Sequence, residues 1–442
     1  MLYKLCIIFI SFLILQSCGS GSSSSSNTTT TVPEYQFELS AQLANECGQQ
    51  VTFNQFEVHL QDENWQLIEK YSADVNGFVN FTTDQENINY TIIAKYQQGE
   101  SGESLDVVSY HQANTTTTAT YTATYDELLD NSTCECVTQD IELQHRAFTI
   151  IGSVSTSFNY ENWYSIDSQN TYFTAAEVCR VINDEWPIQS ISIRGADVLN
   201  NAIGAATLLE DFSSNTEGLW QAAAVEVADS VLLPSNHTGF EMKQSFANNE
   251  HFYVKTDEGD DEFLVFNTHP YISESKYHSV ASHFFESLNT IFGLSTFTSH
   301  HQIKTSTYDE AFDVLAETQQ PEIDNIGFSE LAADGSYDYS TVSGYPLVEI
   351  AFDYPVSSLN SGASMPITWT MYGPISGTLA SSVQLSGYED IFDPNTYIQT
   401  TSIKIIKSSI SNNYDDYIEY YQGNTDSAFA DDLRYFQLLL AL

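Results

Sequence analysis

Positive charge is scarce in this sequence. The 442 residues include only 13 lysines and arginines against 59 aspartates and glutamates, so the formal net charge is −46. A chain of this charge repels nucleic acid phosphates and anionic lipid headgroups, which excludes nucleic acid binding as a function. The apolar content, 42%, is ordinary for a folded protein. The acidity therefore belongs to the surface of a globular protein rather than to a disordered tail.

Motifs of the common catalytic families are also missing. The sequence has no Gly-x-Ser-x-Gly segment, no phosphate-binding P-loop, no dinucleotide-binding fingerprint and no His-Glu-x-x-His pair. Scattered serine, histidine and aspartate residues cannot be assembled into a catalytic triad from sequence alone. We therefore predict no catalytic residue, no metal ion and no cofactor, and we expect a protein that is not an enzyme.

The first apolar run is too short to span a membrane. It extends from Leu5 to Leu15, about half of the roughly 20 residues that a membrane-spanning helix needs. One basic residue, Lys4, precedes it, and Gln16-Ser17-Cys18-Gly19 follows. This arrangement is typical of a secretory signal peptide that is removed after export.

The end of this segment, Leu15-Gln16-Ser17-Cys18, resembles the lipobox of bacterial lipoproteins, although that family prefers a small residue where Gln16 stands. The resemblance implies cleavage before Cys18, lipidation of Cys18 and attachment to a membrane by two or more acyl chains. Gly19 replaces the aspartate that retains such proteins at the inner membrane, so we expect an outer-membrane lipoprotein, periplasmic or cell-surface. The alternative is a plain secretory signal with an incidental cysteine.

After the cysteine comes a stretch of almost only Gly, Ser, Asn and Thr, residues 19–33. Such a composition behaves as a flexible tether, and fifteen residues span about 20 Å. The organisation that we predict is a signal peptide at 1–17, the lipidated cysteine and tether at 18–34, a β-sandwich module at 35–144, a mixed α+β region at 145–335 and a strand-rich domain at 336–442.

Cysteines are few. Of the six, four remain beyond Cys18, and an even number in an exported chain predicts two disulfides. Cys134 and Cys136 lie two apart, which in a strand points both side chains the same way and disfavours a bond between them. We therefore expect each to pair with Cys47 or Cys179, in either of two arrangements. A zinc site of four thiolates is the competing interpretation.

Short alternating segments fill the region 35–144. Apolar residues recur at every second position from Tyr35 to Leu43, and turn residues separate the later segments, a pattern typical of a β-sandwich. The segments Ala73-Asp74-Val75-Asn76-Gly77, Phe78-Val79-Asn80-Phe81 and Tyr90-Thr91-Ile92-Ile93-Ala94 resemble the carboxypeptidase-regulatory or transthyretin-like module of exported bacterial proteins. The resemblance implies an Ig-like sandwich with a structural or adhesive role and no catalytic residue.

The region 145–335 mixes helical and strand patterns. Thr174 and Glu177 have the spacing of a capping box, and the apolar positions after them predict a helix up to Pro187. Apolar residues three and four apart over 277–292, with Gly293 behind them, predict a second helix. Residues 196–233 fit a helix or a strand equally.

Five strand-like segments follow in the last third of the chain, at 345–356, 367–372, 381–385, 397–406 and 417–421. They predict a second sandwich or a small barrel. The fold class that we expect is therefore mainly β with a few helices: an N-terminal Ig-like or transthyretin-like sandwich, a mixed central region and a C-terminal sandwich or barrel.

Three clusters of residues are candidate sites. Five histidines fall close together in sequence, but two of them lie five apart and diverge on a helix, which disfavours a shared metal ion. An acidic turn at 256–261, expected at a hairpin tip between 251–255 and 262–266, lacks the ligand order of a calcium loop. A tyrosine cluster near the C-terminus is the candidate for a surface function. The residues are His269, His278, His283, His300 and His301 in the first cluster, and Tyr414, Tyr417, Tyr420 and Tyr421 in the third.

These observations favour a membrane-anchored, non-catalytic lipoprotein that acts in binding, adhesion or a structural role. The membrane, reached through the lipid on Cys18, is the one partner that the sequence names. A lipid-anchored hydrolase with its site in the central region is one alternative. A glycan-binding protein is another, because tyrosine and tryptophan on a sandwich face can stack on sugars.

Overall fold

A computed structural model of the chain describes residues 33–98, 102–123, 129–145, 147–209, 219–223, 229–232, 239–246, 262–265, 275–290, 293–321, 335–354, 367–379, 387–388, 400–423 and 431–441. Within these ranges the chain forms 26 strands and two helices. The predicted class, mainly β with a few helices, is confirmed.

The strands of the N-terminal part are β1 Tyr35–Ala44, β2 Gln50–Thr52, β3 Phe56–Gln61, β4 Leu67–Ser72, β5 Phe78–Thr83, β6 Asn87–Gln98, β7 Gly102–Asn114 and β8 Ala119–Thr122. Those of the central part are β9 Cys134–Gln144, β10 Ile150–Thr156, β11 Asn162–Asp167, β12 Asn170–Val181, β13 Gln189–Ala196, β14 Ala202–Leu209, β15 Leu219–Ala223, β16 Asp229–Leu232, β17 Gly239–Phe246, β18 Glu262–Val265, β19 Ser275–Thr290 and β20 Gly293–Thr305. The helix α1 Tyr308–Phe312 follows. The C-terminal part contains β21 Ser336–Asp338, β22 Leu347–Tyr354, β23 Ile367–Pro374, β24 Ser376–Thr378, β25 Thr400–Ser408, the helix α2 Tyr414–Tyr421 and β26 Asp432–Ala441.

The N-terminal strands form a sandwich. One layer is the small sheet of β1, β2, β5 and β8, and the other is made by β3, β4, β6 and β7. Alternation explains the core between them: Phe37 and Leu39 on β1 face Val58 on β3 and Ile92 on β6, and all four are buried. On β1 the intervening Glu38 is exposed, as the sequence pattern predicts.

A single eleven-stranded sheet continues from this layer. Its order is β17-β19-β20-β26-β25-β22-β23-β7-β6-β3-β4, so strands on both sides of residues 144 and 335 share one hydrogen-bonded sheet. The two ends, β17 and β4, do not pair with each other in the described residues. The C-terminal strands therefore extend an open sheet and do not close the small barrel that was the second expectation for them.

Both faces of this sheet are covered. The face opposite the small sheet carries a second core that includes Val107, Ile350 and Trp369, and the short ribbon of β21 and β24 packs there with Tyr337. Trp65 reaches this core from the turn after β3, and its Nε1 donates to the backbone oxygen of Thr378 at 2.9 Å.

Helix α2 covers the edge of the first core. Tyr417 and Ile418 are buried there, and Asn413 caps the helix by accepting from the backbone N–H of Asp415. The predicted strand at 417–421 is wrong, because residues 414–421 form a helix in which Tyr414, Tyr417 and Tyr421, three and four residues apart, pack against the same core. Neither α1 nor α2, the two helices among the described residues, has the length or apolar character of a membrane-spanning helix.

A second sandwich lies in the central part. The sheet β10-β13-β14 packs on the sheet β11-β12-β9-β15. Its core is buried between the two sheets and contains Ile141, Leu143, Phe148, Phe173, Val178, Ile191 and Ile193. In the ambiguous segment 196–233 the described residues form the end of β13, the turn at 197–201 and the strands β14, β15 and β16.

The predicted helix over 277–292 is wrong, because residues 275–290 form strand β19. This strand pairs with β17 on one side and with β20 on the other. Its buried positions alternate as Tyr277, Ser279 and Ala281. Because the buried Ser279 is small and polar, the apolar residues alone do not show the period of two that marks a strand. Phe284 is apolar but lies on the opposite face, where it is half exposed. The apolar spacing therefore imitated a helix.

The predicted helix after Thr174 is also wrong, because residues 170–181 form strand β12. A bulge shifts its register between Phe173 and Ala176, and Ala175 has φ +51°. The extra residue reverses which face of the strand is buried. Apolar positions on the two sides of the bulge thereby acquire a helix-like spacing.

The remaining C-terminal expectations have mixed outcomes. Strands β22, β23 and β25 confirm the predictions at 345–356, 367–372 and 397–406. The predicted strand at 381–385 lies outside the described residues.

One turn geometry recurs in the hairpins. Asp74 Oδ1 accepts from the backbone N–H groups of Asn76 at 2.8 Å and Phe78 at 2.9 Å, and Gly77 takes φ +73°. Asn45 does the same with Cys47 and Gln49. In that turn the residue equivalent to Gly77 is Gly48, with φ +75°. Positive φ at this position is typical of a three-residue hairpin loop with a bulge.

The two glycines provide a matched test. A Cβ on Gly77 would lie 2.5 Å from the backbone oxygen of Phe53, whereas a Cβ on Gly48 would have no atom within 4 Å. We expect Gly48→Ala to lower the free energy of unfolding by about 1 kcal/mol, the cost of left-handed backbone, and Gly77→Ala to lower it by a further 1–3 kcal/mol or so from overpacking. Urea unfolding followed by tryptophan fluorescence measures both. Equal losses would contradict the packing argument.

Candidate functional site

The four cysteines beyond Cys18 form two disulfides, Cys47–Cys134 and Cys136–Cys179. This is one of the two expected arrangements, and Cys134 does not pair with Cys136. The first bond joins the loop after β1 to the start of β9, and the second joins the paired strands β9 and β12. Because the four sulfurs are bonded in two pairs, no thiolate remains for the zinc site that was the competing interpretation.

The histidines do not gather into a site within the described part of the chain. His278 and His283 lie five apart on β19, so their side chains leave opposite faces of the strand. His300 stacks on Tyr435 with ring centroids 4.7 Å apart, and its burial, with the charge of Lys404, lowers its pKa to about 4. His269 lies outside the described residues.

His301 is the histidine with a carboxylate partner. Its Nε2 lies 2.9 Å from Asp432 Oδ1, and its Nδ1 lies 3.0 Å from the backbone oxygen of Leu315. Both ring nitrogens are therefore engaged in tying β20 to β26 and to the segment after α1. A general base needs one ring nitrogen facing the substrate, so this pair has the contacts of a structural link.

The tyrosine cluster is not a surface feature. Tyr417 is fully buried and Tyr414, Tyr420 and Tyr421 are half buried on α2. The hydroxyl of Tyr417 donates to the backbone oxygen of Ser411 at 2.9 Å, and the ring of Tyr421 stacks on Tyr372 at 4.4 Å. The expectation of an exposed cluster is wrong because the helix turns these rings onto the sandwich.

Two further candidates lie outside the described residues: the lipidation site Cys18 and the acidic turn at 256–261. Of the hairpin expected around that turn, residues 262–265 form β18. This strand pairs with β16.

A feature that the sequence analysis missed lies at one end of the central sandwich. Ile150 is 61% exposed, Ile166 66%, Val198 85% and Leu199 77%. Exposed single aliphatic residues are ordinary, but hairpin tips are normally polar. We call these four side chains the apolar tip.

Val198 and Leu199 stand on the hairpin between β13 and β14. Asp197 Oδ1 accepts from the backbone N–H groups of Leu199 at 2.8 Å and Asn201 at 2.9 Å. Asp197 Oδ2 accepts from the side chain of Asn201 at 2.9 Å. Asn200 adopts φ +65°, which asparagine tolerates. The loop has the geometry of the Asp74 turn, so its two apolar side chains stand on a backbone that is fixed by hydrogen bonds to Asp197.

Ile166 stands beside the neighbouring hairpin, between β11 and β12. Asp167 Oδ1 accepts from the backbone N–H of Gln169 at 2.7 Å, and both oxygens of Asp167 accept from the side chain of Asn170 at 3.0 and 2.8 Å. The Asn170 bond is the main reason that the pKa of Asp167 lies below its ordinary value. Asp167 therefore carries a negative charge at neutral pH.

The chain between β9 and β10 joins the two hairpins. The N–H of Phe148 donates to the backbone oxygen of Ser168, and that of Thr149 to the backbone oxygen of Ala196, at 2.9 and 2.8 Å. Phe148 is buried in the core of this sandwich, and Ile150 pairs with Ala196. All four apolar side chains therefore belong to one hydrogen-bonded end of the sandwich.

The disulfides lie at the opposite end of strand β9. Cys134 begins this strand and Gln144, paired with Asn170 beside the tip, ends it. Eleven residues at about 3.3 Å each place the two ends roughly 33 Å apart. The tip is therefore held away from the bond that ties this sandwich to the N-terminal one.

A cleft of about 360 Å³ lies elsewhere, where β1 begins. Carboxylate, amide and hydroxyl groups surround it, a chemistry suited to sugar hydroxyls. The lining residues are Glu34, Tyr35, Gln36, Glu38, Thr115, Thr116, Thr117 and Thr118.

Neither a protein-family model nor a curated protein matches this chain.

The apolar tip generates a direct prediction. Replacing Val198 and Leu199 together by serine should weaken retention of the protein on a phenyl column and lower the fluorescence of an apolar dye, because two exposed aliphatic side chains are lost. The melting temperature should shift by less than about 2 °C, because exposed positions contribute little to stability.

Val75→Ser is the matched control for Val198→Ser. Val75 is 82% exposed and occupies the same position of the same turn geometry, but it lies outside the tip. We expect Val198→Ser to reduce retention more than Val75→Ser, because Val198 is followed in its turn by the exposed Leu199, whereas Val75 is followed by the polar Asn76. An equal effect would show that the tip does not act as one surface.

Proposed function

We propose that this protein is an exported, lipid-anchored binding protein of non-catalytic type, held at the outer membrane through Cys18. The observation that carries the binding role is the apolar tip. Four exposed aliphatic side chains on a rigid end are what a recognition surface requires, since burying each such side chain contributes about 1.5–3 kcal/mol. A soluble domain gains nothing in stability from exposing them.

The anchor rests on the sequence before residue 34. The segment ending in Leu15-Gln16-Ser17-Cys18 resembles a lipobox, and residues 19–33 supply a polar tether. Two disulfides in the folded part suit the oxidising conditions outside the cytoplasm. The resemblance of residues 58–94 to a carboxypeptidase-regulatory module is in keeping with an adhesive role.

The hydrolase alternative has weaker support. It needs a histidine or carboxylate aimed at a substrate, and the His301–Asp432 pair uses both ring nitrogens for internal contacts. For glycan binding, the structure offers one specific location, the threonine-lined cleft beside Glu34 and Glu38. We rank it second because the exposed fractions at the tip are the less ordinary feature.

Lipidation is tested by Cys18→Ser in a Gram-negative host supplied with labelled palmitate. The label should disappear from the protein, because the thioether and the new amino terminus both depend on this cysteine. The protein should also leave the detergent-extracted membrane fraction. Labelling and fractionation on the same samples measure both effects.

Cys6→Ser is the control, because Cys6 also lies in the N-terminal segment but precedes the cleavage site. It should keep the label. A Cys18→Ser protein that still carries palmitate would refute the anchor, whatever the tip binds.

A further inference from the structure

We propose that the apolar tip docks into an apolar groove or helix face of a polypeptide whose surrounding surface is positively charged. This inference rests on the proposed binding function and names the class of partner. It follows from the shape of the tip, its charges and the charge of the whole chain.

Shape comes first. The tip is convex, because Val198 and Leu199 project from a hairpin and are the most exposed of its four side chains. The complementary surface is therefore an apolar groove, or the groove between the side-chain ridges on the apolar face of a helix. Neighbouring aliphatic side chains on one rigid loop fit a single pocket, and such central anchors dominate interface energies. Because Asp197 already fixes the loop by three hydrogen bonds, little conformational entropy remains to be lost on docking.

Charge comes second. Asp167 and Asp197 each stand within one residue of an apolar tip side chain, Ile166 or Val198. Acidic side chains are therefore adjacent in the sequence to two of the four apolar tip residues. The chain as a whole carries −46, so its field attracts cations and repels anions over the distance of a Debye length. A partner with basic residues around an apolar centre matches both parts of this surface.

A second copy of the chain fits poorly. Two molecules of charge −46 repel each other. An anionic bilayer is repelled in the same way. The tip side chains are all aliphatic, whereas side chains that anchor proteins at membrane interfaces are mainly tryptophan and tyrosine.

The test uses residues 19–442, which omit only the signal peptide and the lipidated cysteine. The probe is a synthetic 18-residue amphipathic helix of leucine and lysine, labelled for fluorescence anisotropy. A second peptide replaces every leucine by serine, and a third replaces every lysine by glutamate. We expect the leucine–lysine peptide to bind at least about tenfold more tightly than either of the others. Its affinity should fall as salt is raised.

The protein variants separate the tip from the overall charge. Val198→Ser with Leu199→Ser changes no charge, so it should weaken binding of the leucine–lysine peptide at least about tenfold, while Val75→Ser leaves binding unchanged. Unchanged binding by the double variant would mean that charge alone attracts the peptide and would overturn the proposal. So would a wild-type protein that does not bind the peptide at low salt.

Two parallel measurements cover the other occupants. Wild-type protein that sediments with phosphatidylcholine vesicles, in a manner lost in the double variant, would assign the tip to lipid. Concentration-dependent dimerisation lost in the same variant would assign it to a second copy. Either result would overturn the polypeptide partner but leave the binding role of the tip in place. The palmitate experiment on Cys18→Ser is independent of these outcomes and tests the anchor alone.

Discussion

The parallel pairing of β7 with β23 is the contact on which the large sheet depends. It aligns Asp106 to Tyr110 with Thr368 to Tyr372, and so brings together residues from the two ends of the chain. Without it the N-terminal strands would end at an open edge. Because a sheet buried on both faces needs two cores, this pairing also sets where the small sheet, α2 and the ribbon of β21 and β24 can pack.

Residues of the paired strand β7 also form buried hydrogen bonds on both faces of the sheet. On one face, Trp369 Nε1 donates to Ser109 Oγ at 3.0 Å, and Ser109 lies 2.8 Å from the hydroxyl of Thr91. On the other face, the hydroxyl of Tyr121 in the small sheet donates to Asp106 Oδ2 at 2.5 Å. Burial raises the pKa of Asp106, and this bond opposes that rise. Satisfied polar groups of this kind fix the register of packed strands, because a slip of one residue would leave them unpaired in the core.

Local signals account for what the sequence could predict. The alternation from Tyr35 onward and the Asp74 turn are encoded within a few residues, and they predicted the N-terminal sandwich. The cysteine spacing predicted that Cys134 and Cys136 would pair elsewhere. The helix predictions failed where tertiary context overrode spacing, at the buried Ser279 and at the bulge before Ala176. The pairing of β7 with β23 could not be predicted, because the alternation of apolar residues indicates which face of a strand is buried and not which strand lies beside it. For the tip, the Asp197 turn was visible as a spacing, but exposure of Val198 depends on the packing of three separate segments.

The order of the disulfides along the chain gives the tip and the proposed anchor a mechanical relation. From Cys18 the covalent path reaches Cys47, crosses to Cys134, continues to Cys136, crosses to Cys179 and reaches the β13–β14 hairpin. The two bonds thereby bypass sequence separations of 87 and 43 residues. Tension between a bound tip and a lipid anchor would pass along this path, so β2 to β8, which form the rest of the N-terminal sandwich, would not have to unfold under load. Both crossings on this path are disulfides, and an oxidising compartment preserves such bonds.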